Sequence, residues 1–297
     1  MKSQDYLLRS LIFAPGHNAK MLKKAAASSA DALLPDLEDS VQPAANKEVA
    51  RKMVNEMVGA GRFAALPVFP RVNDRESGHL LMDVGALTIA GVSGFVYPKT
   101  QTGEDIHFFA KLLETIEYEK GFPVGQFKII ALIETTAAVL NALEICQASE
   151  RIIGIGFGCE DFIADLQGVH DEHEDSLFTP RALIAMAARA SGVIPIDTVH
   201  IDVHDLEDLE KNLVVAKNLG FEGAFVLHPQ ELPLLHRIFS PTEQEVNDAR
   251  EILDFSEEAK KKGKGVVMMN GKFIGPPIIT AAKQVLRKHR LIVERDR

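Results

Sequence analysis

The stretch Lys128-Ile-Ile-Ala-Leu-Ile-Glu134 is a short apolar run rich in isoleucine, and a helical pattern over residues 137–148 separates it from a second run, residues 152–158. Apolar runs of this length that alternate with helical segments are typical of parallel strands covered by helices. The same pattern occurs along most of the chain. It predicts an α/β fold with eight strands, at residues 8–14, 32–37, 65–71, 94–98, 128–134, 152–158, 193–199 and 223–228.

The number of strand-and-helix units favours a closed (β/α)8 TIM barrel. A barrel of this kind takes about 250 residues, and the eight runs fall within residues 8–228. An open doubly wound sheet also alternates strands and helices and is the competing architecture. We predict the barrel over residues 1–240, with further helices at residues 19–30, 46–58, 181–191 and 205–219.

Residues 241–297 are predicted to form a C-terminal helical extension. A helix opens at Pro241 and runs to Leu253, and the Thr242 hydroxyl can cap its exposed amides. A basic turn at residues 260–265, a hairpin or loop at residues 266–274 and a last helix at residues 278–290 follow. We expect this extension to pack across the barrel mouth or on a neighbouring subunit.

The composition excludes several classes of protein. Of the 297 residues, 46% are hydrophobic and 25% are charged, as in globular proteins. The net charge of −9 opposes a general affinity for nucleic acid, whose phosphate backbone requires a basic face. No apolar run approaches the ~20 residues that cross a bilayer, so we expect no membrane partner. Since the chain has only two cysteines, a cytoplasmic location is the simplest expectation.

Carboxylates follow the fifth and sixth predicted strands, where Glu134 and Asp161 stand. In a barrel the carboxyl ends of all strands share one rim, so these side chains converge although they are distant in sequence. Two oxygen ligands, completed by waters and substrate oxygens, suit Mg²⁺. We therefore predict a magnesium site at this pair. The alternative is that each carboxylate only caps a helix or forms a salt bridge.

Other charged residues end strands on the same rim. Arg71 can clamp a carboxylate or an enolate oxygen with its rigid fork of donors. Alternatively it pairs with Glu38 or Asp39 of the second strand, and both can hold, since an acid behind it would orient the guanidinium. Lys99 could form a Schiff base only if its pKa were depressed, so a solvated or salt-bridged lysine is favoured. His228 ends the eighth strand.

Three features of the sequence are interpreted as structural. Gly154, Gly156 and Gly158 alternate instead of following the dinucleotide-binding pattern, so they indicate a crowded strand. The charged segment at residues 170–175 lacks the histidine spacing of a metalloprotease and indicates a solvated loop. Cys159 has no basic neighbour in sequence, and we expect a buried thiol rather than a nucleophile.

Motifs distributed along nearly the whole chain resemble those of one enzyme family. On these motifs the chain is similar to the citrate lyase β-subunit family, which includes malyl-CoA and citramalyl-CoA lyases and is related to the 2-oxo acid aldolases. The motifs are Arg9-Ser-Leu-Ile-Phe-Ala-Pro-Gly16, Asp36-Leu-Glu-Asp-Ser40, Arg71-Val-Asn73, Pro98-Lys99, Ile133-Glu134, Glu160-Asp161, Gly220-Phe-Glu-Gly223 and His228-Pro229.

The resemblance implies a reaction and a catalytic centre. It implies a (β/α)8 barrel, often a homotrimer or hexamer, with Mg²⁺ at Glu134 and Asp161, and a catalytic Arg71 supported by Glu38 and Asp39. The implied reaction splits a hydroxyacyl-CoA of the citramalyl or malyl type into acetyl-CoA and a small 2-oxo acid. Deprotonation of the substrate hydroxyl near the metal would break the carbon–carbon bond, and Arg71 would stabilise the enolate that leaves.

The resemblance also implies a rim that holds the CoA arm. Lys24 stands where the family often has a lysine, and with Arg9 and Lys20 it offers basic groups to the phosphates of an acyl-CoA thioester. We add Lys99 and His228 to these predicted substrate- and CoA-binding residues, because both end strands on the same rim.

Two positions depart from the pattern of the family. Many relatives carry an aspartate in a C-terminal Ile-Asp-x-Pro motif, and here Gly275 stands in its place. Asn18 stands where an arginine is common. Three interpretations of Gly275 stay open: another acid such as Glu38 or Asp175 substitutes for the aspartate, the substrate differs, or the site is catalytically quiet. We expect cleavage to be retained, because the metal pair and Arg71 remain. Two alternative functions also stay open: a class II aldolase acting on free hydroxy-oxo acids, and a low-activity subunit of a citrate lyase-type complex.

Overall fold

A computed structural model describes residues 5–63, 66–169, 175–261, 267–269 and 272–296. The chain divides into two compact units, Met1–His236 and Arg237–Arg297. The first unit contains a sheet of seven parallel strands in the order β2-β1-β7-β6-β5-β4-β3. These strands are β1 (Ser10–Pro15), β2 (Ala32–Asp36), β3 (Gly94–Tyr97), β4 (Lys128–Ile133), β5 (Ile152–Phe157), β6 (Ile194–Asp197) and β7 (Gly223–Val226).

Residues 66–71 of the third predicted run, which was predicted at residues 65–71, lie between β2 and β3 and nearly close the barrel. They make isolated parallel bridges, from Val68 to β2 and from Arg71 to both neighbours, rather than a continuous strand. Pro67 and Pro70 explain the difference, because proline has no N–H to donate to a ladder. Their carbonyls still accept hydrogen bonds of 2.9 and 3.0 Å from the two flanking strands. The predicted α/β barrel is confirmed, with one strand reduced to bridges.

Helices follow most strands, as the alternating pattern predicts. The predicted helix at residues 137–148 is split in two, and the long helix α4, which the analysis of the sequence did not identify, starts at a capping box between Thr102 and Asp105. The helices up to residue 239 are α1 (Ala19–Ala26), α2 (Asn46–Gly59), α3 (Leu80–Leu87), α4 (Gly103–Lys120), α5 (Thr136–Leu140), α6 (Ala142–Gln147), α7 (Cys159–Leu166), α8 (Asp175–Ser191), α9 (Leu206–Leu219) and α10 (Leu232–Phe239).

The barrel interior is filled by apolar side chains that come from strands all around the barrel. Leu34, Phe69, Leu132 and Phe225 belong to one buried cluster. A Cβ atom on Gly156 would overlap the ring of Phe225. The glycine in the middle of β5 therefore makes room for an aromatic ring from β7, as expected for a crowded strand.

The second unit contains α11 (Glu243–Lys261), the antiparallel pair β8 (Val267–Met269) and β9 (Lys272–Ile274), and α12 (Pro276–Arg295). Thr242 caps α11: its hydroxyl accepts a hydrogen bond of 3.2 Å from the Glu245 amide, and the Glu245 carboxylate accepts one of 2.7 Å from the Thr242 amide. Residues 262–266 and 270–271 of the predicted basic turn and hairpin lie outside the described residues. The boundary at residue 240 and the packing of the extension stay predictions. No described helix combines the length and apolar character needed to cross a membrane.

Candidate active site

A cavity of about 390 Å³ opens at the carboxyl ends of the barrel strands. Arg71, Glu134, Asp161 and Asp39, which the sequence places in four separate segments, all line it. Convergence of these residues follows from the parallel barrel, which brings every strand end to one rim. The cavity is also lined by apolar side chains, among them Phe13, Leu132 and Phe225.

Arg71 lies at the centre of a network of carboxylates. Its Nε and Nη2 donate to the two oxygens of Asp36 at 2.6 and 2.8 Å, and Nη1 lies 3.1 Å from Glu38 and 3.2 Å from Asp39. The guanidinium also packs over the Phe13 ring, 5.1 Å from its centroid. Pairing with Glu38 and Asp39 is present as predicted, but the bidentate partner is Asp36, which the analysis of the sequence did not assign.

Asp36 could have been found from the register of the predicted barrel. It ends β2 directly beside Arg71, and the two residues form a parallel bridge. Burial alone would raise the pKa of Asp36, but the adjacent guanidinium holds it below its usual value. Asp36 therefore remains an anion, and it fixes the guanidinium with both oxygens.

Glu38 lies behind Arg71 and not in the lining of the cavity. It is 4% exposed, and burial together with a hydrogen bond to Asp39 raises its pKa to about 7. Its second contact is Lys99, whose Nζ lies 3.0 Å from Glu38 and 3.6 Å from Asp74. Although burial opposes it, pairing with Glu38 raises the pKa of Lys99. Lys99 is therefore a charged, salt-bridged lysine, which disfavours a Schiff base.

Glu134 is a buried carboxylate beside the cavity. It directly follows β4, is 3% exposed, and accepts a hydrogen bond of 2.7 Å from the backbone N–H of Lys99. Burial raises its pKa to about 8 despite that bond, and no ion pair with it is found within the described part of the chain. A Cβ atom on Gly158 would come within 2.6 Å of the Glu134 Cγ, so a glycine is required opposite this side chain.

Asp161 follows β5, the sixth predicted strand, and stands in the first turn of α7. It is exposed and lines the cavity. Cys159 begins this helix and is 3% exposed. Burial raises the pKa of its thiol, so the expectation of an inert thiol is met. The charged segment at residues 170–174 lies outside the described residues.

The loop that carries Glu38 and Asp39 is held by residues that the analysis of the sequence did not identify. The Lys47 ammonium donates to the carbonyls of Leu37 and Glu38, at 3.0 and 2.9 Å. Asn73 donates to the same Leu37 carbonyl at 2.9 Å. Asn73 of the Arg71-Val-Asn73 motif therefore has a structural role that its position in sequence does not reveal.

The predicted basic residues of the rim are only partly brought together. The Lys24 Nζ lies 3.2 Å from the Nε2 of His228, two residues beyond β7. Burial, with Lys24 and His204 nearby, lowers the pKa of His228. Arg9 does not join them, because it precedes β1 at the opposite end of the barrel. There its guanidinium is buried against Asp31, with Nε and Nη2 each 2.9 Å from a carboxylate oxygen. We therefore correct the predicted role of Arg9 in phosphate binding.

Comparison with known proteins agrees with this architecture. Residues 9–229 match the HpcH/HpaI aldolase/citrate lyase family. The chain belongs to this family. It is 33% identical over 285 residues to the citrate lyase subunit beta of Leuconostoc mesenteroides subsp. cremoris, covering 96% of this chain and 94% of that protein. It is 28% identical over 293 residues to the (3S)-malyl-CoA thioesterase of Cereibacter sphaeroides, covering 98% of both.

A solved structure from the same group has the same fold. It is the protein CitE from Mycobacterium tuberculosis in complex with magnesium, acetoacetate and coenzyme A, with a TM-score of 0.74 and 26% identity, covering 96% of this chain and 98% of that chain. Membership of the HpcH/HpaI aldolase/citrate lyase family identifies the protein as a carbon–carbon lyase, as the motifs predicted.

Two positions that depart from the family pattern have local structural roles. The Asn18 side chain accepts a hydrogen bond from the Met21 amide and caps α1. Gly275 is the N-cap residue of α12 and has no side chain that could carry a proton.

The donor set of the family site fits a magnesium ion. Glu134 and Asp161 line the same cavity and would be the protein's share of the ligands. Mg²⁺ usually keeps several waters and binds through one or two carboxylates, so a pair suffices. A cation would also neutralise Glu134, whose pKa is raised by burial and which forms no ion pair with any residue that the structure describes.

Proposed function

We propose that this lyase is Mg²⁺-dependent and cleaves a 3-hydroxyacyl-CoA, of the citramalyl-CoA or malyl-CoA type, into acetyl-CoA and a 2-oxo acid. The observation that carries the proposal is the meeting of Arg71, Glu134 and Asp161 at one cavity of about 390 Å³. The complex of the related CitE with magnesium, acetoacetate and coenzyme A supports the choice of metal and thioester.

Glu134 and Asp161 would hold the ion from two sides of the cavity. When bound, Mg²⁺ polarises the oxygens of a substrate hydroxyl and carboxylate and makes the hydroxyl more acidic. The buried position of Glu134 fixes one side of the site, because its 2.7 Å hydrogen bond to the Lys99 amide and its contact with Gly158 leave the carboxylate little freedom.

Arg71 would stabilise the negative charge of the enolate. Its Nε and one Nη2 hydrogen bind Asp36, and its Nη1 faces Glu38 and Asp39. The second Nη2 hydrogen has no partner within the described residues. A donor that is already oriented by three carboxylates needs no rearrangement when charge develops on the substrate. Glu38, which touches Arg71 from outside the cavity, is a positioning residue in this scheme.

Asp39 would act as the acid and base in place of the family aspartate, whose position is occupied here by Gly275. Its side chain lines the cavity beside Arg71 and is 58% exposed, so it can reach both substrate and water. We propose that Asp39 accepts the proton of the substrate hydroxyl and returns it to the enolate carbon after cleavage. Exchange of the methyl hydrogens of acetyl-CoA in D₂O tests this step: exchange should occur in the wild type and be lost in Asp39→Asn.

Lys24 and His228 would bind the CoA portion of the thioester at the rim of the cavity. They lie 3.2 Å apart and come from α1 and from the segment after β7, next to the cavity wall formed by Met21 and Leu227. The Lys24 ammonium beside the His228 ring offers donors to phosphate oxygens on a protein whose net charge is −9.

The test is incubation of the purified full chain with citramalyl-CoA, malyl-CoA and citryl-CoA, with Mg²⁺ or with EDTA. We expect acetyl-CoA and an oxo acid from at least one of them, only with Mg²⁺. No cleavage of any thioester would contradict the proposal, and turnover of free hydroxy-oxo acids without CoA would select a class II aldolase. Activity that appears only with a co-purified acyl carrier would indicate a subunit of a citrate lyase-type complex.

Thioester hydrolysis is a second candidate. Gly275 removes the family acid, and the related (3S)-malyl-CoA thioesterase matches 98% of this chain. The same incubation separates the two reactions, because hydrolysis releases free CoA and an intact hydroxy acid rather than acetyl-CoA and an oxo acid.

A further inference from the structure

The floor of the cavity is apolar and formed by the barrel core. Phe225 and Leu132 line it, and each is only 3% exposed. Phe13 packs on Phe225 with ring centroids 5.2 Å apart, and Val199 packs against the same buried cluster. Because Gly156 lies beneath the Phe225 ring, this floor is held in place by strand geometry rather than by a mobile loop.

The small fragment of the substrate must face this floor. A cavity of about 390 Å³ at the end of a barrel filled with side chains cannot enclose a coenzyme A moiety, so the thioester arm has to leave through the mouth. The fragment that becomes the oxo acid would then lie inside, with its oxygens toward the proposed metal ligands Glu134 and Asp161. Its side chain would face Phe225 and Leu132.

The charge of the cavity disfavours a second carboxylate there. Five acidic residues line it, and Arg71 is the one cationic side chain among its described lining residues. The guanidinium already pairs with three carboxylates, and its remaining donor is the one assigned to the enolate. A second carboxylate on the apolar floor would lose its water and gain no cation, which is costly. The acidic residues are Asp36, Asp39, Glu134, Glu160 and Asp161.

We infer that the site selects a 2-oxo acid with a short apolar side chain, such as a methyl or ethyl group, over one with a second carboxylate. This inference rests on the proposed function, because it assumes that an oxo acid occupies the cavity with Mg²⁺. Phe13, Phe225, Leu132 and Val199 are its specificity-determining residues.

Calorimetric titration of the full chain with Mg²⁺ and four oxo acids tests the inference without turnover. Pyruvate should bind more tightly than glyoxylate by about fourfold, the value expected for one buried methyl group. Freshly dissolved oxaloacetate should bind at least about tenfold more weakly than 2-oxobutyrate, which has the same chain length, since the extra charge would be desolvated without a partner. Tighter binding of oxaloacetate than of 2-oxobutyrate would overturn the inference and leave the lyase proposal intact.

Two variants test whether the apolar floor of the cavity determines the preference between oxo acids. Val199→Lys places a cation beside the floor and should raise the affinity for oxaloacetate to at least that for 2-oxobutyrate. Val214→Lys is the matched control: it makes the same change of charge on α9, at a position 43% exposed and outside the cavity lining, and should keep the wild-type preference. An unchanged preference in Val199→Lys would contradict the role of the floor. Failure of every oxo acid to bind with Mg²⁺ would overturn the inference and the proposed function together.

Discussion

The two ends of the barrel each contain a bidentate arginine–aspartate pair, and the pairs differ in what surrounds them. At the amino-terminal end, Arg9 and Asp31 are 5% and 0% exposed in their side chains. At the carboxyl end, Arg71 and Asp36 are similarly buried, at 12% and 2%, but Arg71 lines a cavity and has further carboxylate neighbours. An arginine–aspartate pair that is fully buried stabilises the fold, whereas a pair of the same kind that lines a cavity can also bind a ligand.

A buried carboxylate shows the same contrast. Glu134 and Glu231 both lie beyond the carboxyl ends of barrel strands, and both are at most 3% exposed. Burial raises the pKa of Glu134 to about 8 and that of Glu231 to about 7. Glu134 lines the cavity, whereas Glu231 accepts a hydrogen bond from the His228 amide and lines no part of it. Burial and a raised pKa therefore do not identify a functional carboxylate unless a cavity reaches it.

The largest expected effect comes from this second contrast. Glu134→Gln should lower Mg²⁺-dependent cleavage at least about 10³-fold, or roughly 4 kcal/mol of barrier, because the metal loses its buried ligand. Calorimetry should show loss of Mg²⁺ binding with a circular dichroism spectrum unchanged. Glu231→Gln, which also replaces a buried carboxylate with an amide, should retain wild-type cleavage. Equal losses in the two variants would show that the contrast is wrong.

The two arginines should respond in opposite ways to the same substitution. Arg71→Lys should lower cleavage about 10²–10³-fold, since a lysine cannot keep the oriented donor for the enolate. Arg9→Lys should leave cleavage per folded molecule unchanged and lower the free energy of unfolding by about 1–3 kcal/mol, because one Asp31 oxygen loses its partner. Steady-state kinetics and urea unfolding of both variants give the result. A catalytic defect in Arg9→Lys would contradict its structural assignment.

The difference in stability between Glu231→Gln and the wild type should depend on pH. Because the folded pKa of about 7 lies above the unfolded value, the wild type binds a proton on folding, and its stability falls as pH rises from about 4.5 to about 7. The glutamine variant lacks this loss and should be more stable than the wild type at pH 8 by about 3 kcal/mol, and no more stable at pH 4. Urea unfolding at the two pH values measures the difference. A gap of the same size at both would refute the assignment of the raised pKa.

The smallest expected effect concerns the loop that carries Glu38 and Asp39. Lys47→Met removes the donors to the Leu37 and Glu38 carbonyls and should lower cleavage about tenfold, with faster hydrogen exchange of the loop amides, since a loosened support misplaces reacting groups. Lys52→Met, at an exposed position of the same helix, is the control and should behave like the wild type. Normal exchange in Lys47→Met would show that the loop is held by other contacts.

Much of the fold follows from the sequence alone. The alternation of apolar runs and helical patterns is a local property, so it predicted the α/β barrel, and seven runs are strands. The third run differs because two prolines remove ladder donors, a feature that its apolar character hides. The predicted Thr242 cap was correct for the same reason: a cap is formed within one turn of chain.

Only the tertiary structure decided the partners of the charged residues. Sequence placed Arg71, Glu134 and Asp161 near one rim, because strand ends converge whatever their separation in the chain. It could not give Asp36 as the bidentate partner of Arg71, the Lys47 support of the loop, or the closed pair at Arg9. These contacts depend on register and on the direction of side chains across strands, and neither is encoded by spacing within a single segment.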